Sequence, residues 1–133
     1  MTTPAQTEMN VQSPYPEPVW RLFSETPRGG VLPNGPRVYT AEVGTPAGRF
    51  RLRLYCQLDE QGKVSASRFQ AYGCPYTIAV GSWLAQWCEG RQIAELAEFE
   101  VDQMRAALEI PEDRAHCWLM AQDVLREIEQ EWS

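Results

Sequence analysis

The sequence predicts one α+β domain, a three-stranded antiparallel sheet with helices packed on one face. Three observations lead to this class. Apolar and polar residues alternate with a two-residue period between residues 37 and 72, helical periodicity follows from residue 75 onwards, and no strand-like segment interrupts that helical half. Strands that precede helices, without strand–helix–strand alternation, are typical of an α+β domain. A chain of 133 residues has room for one core of ordinary size.

Charge and hydropathy disfavour several classes of partner. The 18 acidic and 12 basic residues give a net charge of −6, which is unfavourable for binding nucleic acids or anionic lipid. No stretch is apolar for long enough to span a membrane, and the first residues do not resemble a secretory signal. We therefore expect a cytoplasmic protein without membrane association, whose four cysteines stay reduced and serve as core residues or ligands.

Residues 1–16 are predicted to form a flexible N-terminal arm, and residues 17–133 the domain. Seven of the ten prolines lie within the first 36 residues, a composition typical of a loose segment. A short helix is expected from Glu17 to Phe23, where Val19, Leu22 and Phe23 recur at helical spacing.

Three strands are predicted, over residues 37–44, 49–58 and 63–72. The second shows the clearest alternation, and its apolar series is Phe50, Leu52, Leu54, Cys56 and Leu58. A turn over residues 59–62 joins it to the third strand, with Gly62 available for a positive φ. The three strands therefore form an antiparallel meander.

Helices are predicted over residues 75–89, 91–98, 102–109 and from about residue 113 to residue 132. Pro75 suits the first turn of a helix, while Gly90 and Pro111 suit the breaks that follow. The last helix carries one apolar stripe, which consists of Cys117, Met120, Ala121, Val124, Ile128 and Trp132.

Cys74 is a candidate ligand because it lies where the third strand meets a helix. Unpaired amides and the helix dipole favour a thiolate at that position. A Gly-Cys-Pro junction is equally compatible with a tight turn that holds a small buried thiol.

His116 and Cys117 form the second candidate group, at the start of the last helix. Neighbours on a helix point about 100° apart, so both side chains reach one metal ion only where the backbone is loose, as at a helix end. Cysteine and neutral histidine are ligands that suit zinc, iron and iron-sulfur clusters. The alternative is that Cys117 only opens the apolar stripe while His116 is solvated.

Cys56 and Cys88 fit better as core residues than as ligands. Cys56 belongs to the apolar series of its strand, and Cys88 shares a helix face with small and apolar residues. Trp118 lies off the stripe beside the His-Cys pair, where it can shield a metal or face a partner.

Signals of an enzyme are absent from the sequence. It contains no glycine-rich phosphate loop, no C-x-x-C pair and no Ser-His-Asp candidate. We therefore expect that the protein is not an enzyme. A thiol enzyme with Cys74 as nucleophile and His116 as base is the weakest alternative, because nothing specifies a substrate.

Several motifs together resemble the NifU/IscU-type iron-sulfur cluster assembly scaffolds in order and spacing. They are Thr26-Pro27-Arg28, the run from Arg68 to Cys74, Ser82, Trp87 with Glu89-Gly90-Arg91, and the run from His116 to Asp123. The likeness extends from about Glu17 to Trp132.

The resemblance implies the IscU/SufU-like fold and a scaffold or carrier that binds iron, zinc or a transient cluster. In that family three cysteines, an aspartate and a histidine gather at one end of the domain. Matched by position, Cys74 and Cys117 are the second and third cysteines, and His116 is the histidine. The resemblance also implies a cysteine desulfurase or other assembly proteins as partners.

The chain departs from the family pattern at two ligands and at one partner motif. The first cysteine is replaced by Gly48 and the aspartate by Phe50. Cys56 lies eight residues further along an extended strand, about 26 Å away, and cannot replace that cysteine. The family's chaperone-binding segment reads Ile110-Pro111-Glu112-Asp113-Arg114 here, and its added negative charge argues against hand-off to a chaperone.

Two hypotheses of function therefore stand. The first is a divergent scaffold or carrier whose fourth ligand comes from water, a small thiol or another chain. The second is an interaction or regulatory module of the assembly machinery that has lost cluster building, which the absence of the first cysteine favours.

Overall fold

The computed structural model describes residues 14–45 and 47–132. Its helices are α1 (Glu17–Glu25), α2 (Pro75–Cys88), α3 (Val101–Leu108) and α4 (Ala115–Trp132), and its strands are β1 (Val38–Gly44), β2 (Arg51–Leu58) and β3 (Val64–Tyr72). Short 3-10 helices lie at Ile93–Glu98 and Glu112–Arg114. The strands form one antiparallel sheet in the order β1-β2-β3, so the predicted meander is confirmed.

The inner face of the sheet carries the alternating apolar residues that the sequence indicates. Leu54 on the central strand pairs with Ala41 on β1 and with Phe69 on β3, and all three side chains are buried. Phe50 lies just before β2 instead of within it. Tyr55 on the outer face is buried as well; its hydroxyl donates to Gln70 on β3, and the Arg53 guanidinium lies 5.8 Å from its ring centroid.

Helices α2 and α4 cover the inner face, and α1 packs on α2. Helix α2 lies against β2 and β3, whereas α4 lies against β1 and β2. The apolar stripe of α4 is buried up to Ile128, but Trp132 is 43% exposed, so its inclusion in the stripe is wrong. Ile128 is the last buried residue of the helix, and Trp132 is its final residue. Leu125 is buried in addition.

Residues 91–98, which the sequence predicts to be helical, form a 3-10 helix over Ile93–Glu98. Ile93 and Leu96 are its buried residues, and a spacing of three suits the three-residue turn of a 3-10 helix. The Gln92 N–H donates to the Glu95 carboxylate at 2.7 Å, which fixes the first turn.

The loop after α1 docks against the free edge of β3. The Phe69 N–H donates to the Arg28 carbonyl at 3.0 Å, and the Gly30 N–H donates to the Phe69 carbonyl at 2.9 Å. These bonds satisfy backbone groups on an edge strand that otherwise invites pairing with another chain.

Residues 1–13 of the predicted arm lie outside the described residues, so the arm and its boundary stay predictions. Tyr15, which lies near the end of the predicted arm and is among the described residues, packs edge-on against Tyr76 with ring centroids 5.3 Å apart. Within the described ranges, no helix is long and apolar enough to cross a membrane.

Candidate metal centre

Cys74, His116 and Cys117 meet where α2 and α4 begin. Cys74 is the N-cap residue of α2, and the other two lie in the first turn of α4. One ligand atom from each residue lies within 4.8 Å of the other two. The three residues singled out from the sequence, which come from opposite ends of the helical half, are therefore neighbours in the structure.

The His116 imidazole has a buried nitrogen without a partner. Its Nε2 is inaccessible to solvent and makes no hydrogen bond to the described residues. Burial of a polar nitrogen without a bond costs free energy, so such an atom points to a ligand that binds there. An unpartnered imidazole nitrogen of this kind is suited to binding a metal ion.

The two thiols at the centre differ in acidity. A hydrogen bond from the Cys117 S–H, helped by the N–H groups of Thr77 and Tyr76, outweighs desolvation and lowers the pKa of Cys74 to about 4. The same bond, together with burial, raises the pKa of Cys117 above the ordinary range. Without metal, the pair therefore holds one thiolate and one thiol, and the thiolate is ready to bind a cation.

Thr77 is a member of the centre that the sequence reasoning missed. Its Oγ1 lies 3.7 Å from the Cys74 sulfur and 3.6 Å from the Cys117 sulfur, and the side chain is fully buried. The hydroxyl therefore lies within hydrogen-bonding reach of both sulfurs. Its position three residues after Cys74 in a helix is the signal that could have identified it.

An aromatic ring covers the centre beside His116. The Phe50 and His116 ring centroids lie 4.3 Å apart. Gly73, with φ +147°, lets the Phe50 ring approach, because a Cβ at that position would lie 2.5 Å from Phe50 Cδ1. The Phe50 ring thus contacts both the strand–helix junction and the imidazole.

Comparison with known sequences identifies the family. A sequence profile described as "NifU-like N terminal domain" matches residues 14–131, nearly the whole chain. The chain belongs to the NifU-like N-terminal domain family.

Individual relatives agree with this family. The chain is 33% identical to "Iron-sulfur cluster assembly scaffold protein IscU" of Azotobacter vinelandii over 104 residues, which cover 77% of this chain and 81% of that protein. It is 30% identical to the protein of the same name from Haemophilus influenzae, over 77% of this chain and 82% of the relative.

Solved structures share the fold of this NifU-like domain. A NifU-like protein (N-terminal) from Brucella abortus superposes with a TM-score of 0.62 at 18% identity, covering 87% of this chain and 94% of that one. A scaffold protein for the SUF system from Fervidobacterium islandicum gives a TM-score of 0.61 at 17% identity, covering 84% and 93%. The IscU/SufU-like α+β fold is therefore confirmed.

The two departures from the family pattern have structural consequences in this NifU-like domain. Phe50 puts an apolar ring beside His116 where the resemblance implies a carboxylate. Gly48 has φ +72°, a left-handed conformation that favours glycine over cysteine, and apart from its chain neighbours no heavy atom of the described residues lies within 4 Å of where its Cβ would be.

The other two cysteines do not belong to the centre. Cys56 and Cys88 are fully buried, are not joined in a disulfide, and make a hydrogen bond to each other. Their expected role in the core is confirmed.

Trp118 is half-buried, and the Arg105 guanidinium lies 3.8 Å from its ring centroid.

The residues present fit a metal ion or a cluster. Two cysteines and a histidine are a donor set that suits zinc and iron, and the buried Nε2 of His116 lacks a partner. Three protein ligands leave one coordination position, and neither Gly48 nor Phe50 has a side chain that can fill it.

Proposed function

We propose that this NifU-like domain is an iron-sulfur cluster assembly scaffold or carrier that holds iron, zinc or a transient cluster through Cys74, His116 and Cys117. The observation that carries the proposal is the convergence of these ligand atoms within 4.8 Å. The relatives named iron-sulfur cluster assembly scaffold proteins, at about 30% identity, support it.

The chemistry of the centre favours binding over catalysis. The Cys74 thiolate supplies negative charge, Cys117 loses its proton when a cation arrives, and His116 contributes a neutral nitrogen. A fourth ligand comes from water, a small thiol or another chain, which suits a cargo that must leave again. In this proposal the domain is a carrier without enzymatic activity, located in the cytoplasm.

The partners that fit this role are a cysteine desulfurase and other proteins of cluster assembly. Hand-off to a chaperone does not fit as well. The exposed Glu112 and Asp113 directly precede α4 and the centre, and they give negative charge to the segment that such a chaperone would bind.

Anaerobic reconstitution of the full chain with ferrous iron, sulfide and a thiol, beside a parallel incubation with zinc, tests the proposal. We expect visible absorption and about one metal site per chain, with loss of both in Cys74→Ser and Cys117→Ser. Cys88→Ala is the matched control, because it removes a buried cysteine outside the centre. A protein that takes up neither zinc nor iron nor cluster would refute the proposal.

A second function, an interaction or regulatory module without cluster building, is favoured by Phe50. The ring fills the side of the centre where the resemblance implies an aspartate. This alternative predicts that a cysteine desulfurase binds the wild type and Cys74→Ser equally well, and that neither protein carries metal.

A further inference from the structure

The face of the sheet opposite the helices has a composition of its own. In β2 the residues that alternate with buried Leu52 and Leu54 point away from the helices. The register places Arg51 opposite Tyr72, and Arg53 opposite both Glu42 and Gln70. We call this surface the outer sheet face, and it consists of Glu42, Arg51, Arg53, Arg68, Gln70 and Tyr72.

We propose that the outer sheet face is a docking surface for an acidic segment of a partner protein. The inference is independent of metal binding at the centre.

The segment that forms the sheet differs in charge from the rest of the chain. Residues 37–72 contain six basic and three acidic side chains, a net +3, which leaves −9 for the remainder of a chain whose total is −6. On the outer sheet face itself, three arginines accompany one glutamate, and Arg68 also lies 3.9 Å from the Glu89 carboxylate at the end of α2. A local positive surface on an acidic protein attracts carboxylates and repels basic partners.

The arginines of this face are held in position before any partner arrives. Arg53 Nε lies 3.1 Å from the Glu42 carboxylate, and Arg53 Nη1 donates to the Tyr55 hydroxyl at 3.4 Å. That hydroxyl in turn donates to Gln70 Oε1 at 2.7 Å, so the network crosses all three strands. Side chains that are already ordered lose less conformational entropy on binding.

The arginines also keep hydrogen-bond donors available. Arg51 shares the single Glu42 carboxylate with Arg53, at 3.8 Å, and both guanidinium groups are about half exposed. Each guanidinium carries five N–H donors in a planar arrangement that suits a carboxylate. One carboxylate cannot satisfy two such groups.

A cleft on this face offers room for an acidic side chain. It has a volume of about 180 Å³ and is lined by Glu42, Arg51, Arg53, Gln70, Ala71 and Tyr72. Tyr72 is 64% exposed and lies two residues before Cys74. A segment docked here therefore lies beside the metal centre.

An acidic protein segment fits this surface better than a longer polyanion. The net charge of −9 on the remainder of the chain repels nucleic acids and anionic membranes, which extend beyond the patch. Screening acts over about 8 Å at physiological salt, so a short segment experiences mainly the local arginines.

Binding of a fluorescent decaglutamate peptide to the full chain, measured by anisotropy, tests the inference. We expect binding that weakens with salt and falls at least tenfold in Arg51→Gln/Arg53→Gln. The matched control is Arg21→Gln/Arg126→Gln, which removes two exposed arginines from helices and should leave the affinity within about twofold. Amide shifts of the wild type on adding peptide should fall on β2 and β3, whether or not the double variant folds.

Three results would overturn the inference: no peptide binding at low salt, an equal loss in both double variants, or amide shifts confined to the helices. A single-stranded oligonucleotide that binds as tightly as the peptide, through the same arginines, would also overturn it. Because the peptide assay needs no metal, its failure is distinguishable from failure of the proposed scaffold function.

Discussion

Thr77 links the two halves of the metal centre through its side-chain hydroxyl. Its hydroxyl lies 3.7 Å from the Cys74 sulfur on its own helix and 3.6 Å from the Cys117 sulfur on α4. Full burial keeps water from replacing this hydroxyl. The side chain therefore positions both sulfurs and can donate a hydrogen bond to a thiolate.

Thr77→Val is expected to weaken cobalt or zinc binding about tenfold, because a hydrogen bond to a charged group contributes roughly 1.5 kcal/mol. The thiolate-to-cobalt absorption band should also shift. Thr77→Ser restores the hydroxyl and should return both quantities toward the wild type. If Thr77→Val binds metal like the wild type, or if Thr77→Ser is equally impaired, the positioning role is wrong.

Cys74 should remain reactive in mild acid when no metal is bound. Its pKa of about 4, which results mainly from the Cys117 hydrogen bond, keeps the thiolate populated at pH 5.5, where an ordinary cysteine with a pKa of about 8.5 is a thiol. We expect iodoacetamide to modify Cys74 at similar rates at pH 5.5 and 7.5, with a fall near pH 4. Mass spectrometry measures the extent.

Two comparisons control the alkylation experiment. The urea-unfolded protein should lose reactivity steadily below about pH 8.5. Cys117→Ala removes the main donor, so the fall in Cys74 reactivity should move to higher pH. A folded wild type that behaves like the unfolded chain would contradict the thiolate assignment.

Glu89 connects three elements of the fold. Its carboxylate accepts a bond from Arg28 Nε at 2.9 Å and one from the Ser67 N–H at 3.0 Å. It thereby ties the loop after α1 and strand β3 to the end of α2. Ser82 supports the same loop, because its hydroxyl donates to the Pro27 carbonyl at 2.7 Å. Several of the motifs that resemble the family therefore stabilise the fold instead of binding metal.

Glu89→Gln should lower the free energy of unfolding by roughly 1–2 kcal/mol at pH 7, because bonds to a charged acceptor are lost. Partial burial raises the pKa of Glu89, but the bonds from Arg28 and Ser67 outweigh it, so the pKa in the folded state is lowered. The contribution is therefore fully present above the unfolded pKa of about 4.3 and disappears as the pH falls through the folded value.

Urea unfolding at pH 7 and at about pH 3.5 measures this effect, with the exposed Glu127→Gln as control. The difference between Glu89→Gln and the wild type should shrink in acid. A difference that is the same at both pH values would contradict the electrostatic account.

At the scale of elements, periodicity in the sequence predicts most of what the structure contains. The alternation in β2 identifies its buried face, and the spacing in α4 identifies its stripe up to Ile128. The prediction is wrong at the ends of two elements, because a local sequence pattern does not show which other parts of the chain pack there. Phe50 continues the alternation of β2 but belongs to the metal centre, and Trp132 continues the spacing of the stripe but is exposed at the end of the helix.

The whole molecule depends on one core between the sheet and the helices. Leu54 lies on the central strand and is fully buried against β1 and β3, beneath the layer formed by α2 and α4. Leu54→Ala should reduce the free energy of unfolding by about 3 kcal/mol, as measured by urea denaturation. Leu119→Ala, the same change at a side chain that is 48% exposed, should cost less than about 0.5 kcal/mol. Equal costs would contradict this account of the core.

The residues of the metal centre could be predicted from the sequence only in part. Chemistry made Cys74, His116 and Cys117 plausible, and the ordered resemblance made them the favoured set. Thr77 could not be chosen in the same way, because its role depends on α4 lying beside α2. The contact between the Phe50 and His116 rings is likewise a product of the fold, and it joins residues 66 positions apart.

Metal analysis with visible absorption on the anaerobically purified full chain, wild type beside Cys117→Ser, tests whether Cys74, His116 and Cys117 bind metal. The wild-type chain should carry about one metal site and the variant should lose it, while both proteins keep the same far-ultraviolet circular dichroism. A wild type that carries no metal and takes up none, or a Cys117→Ser variant that retains the full amount, would contradict the proposed metal centre.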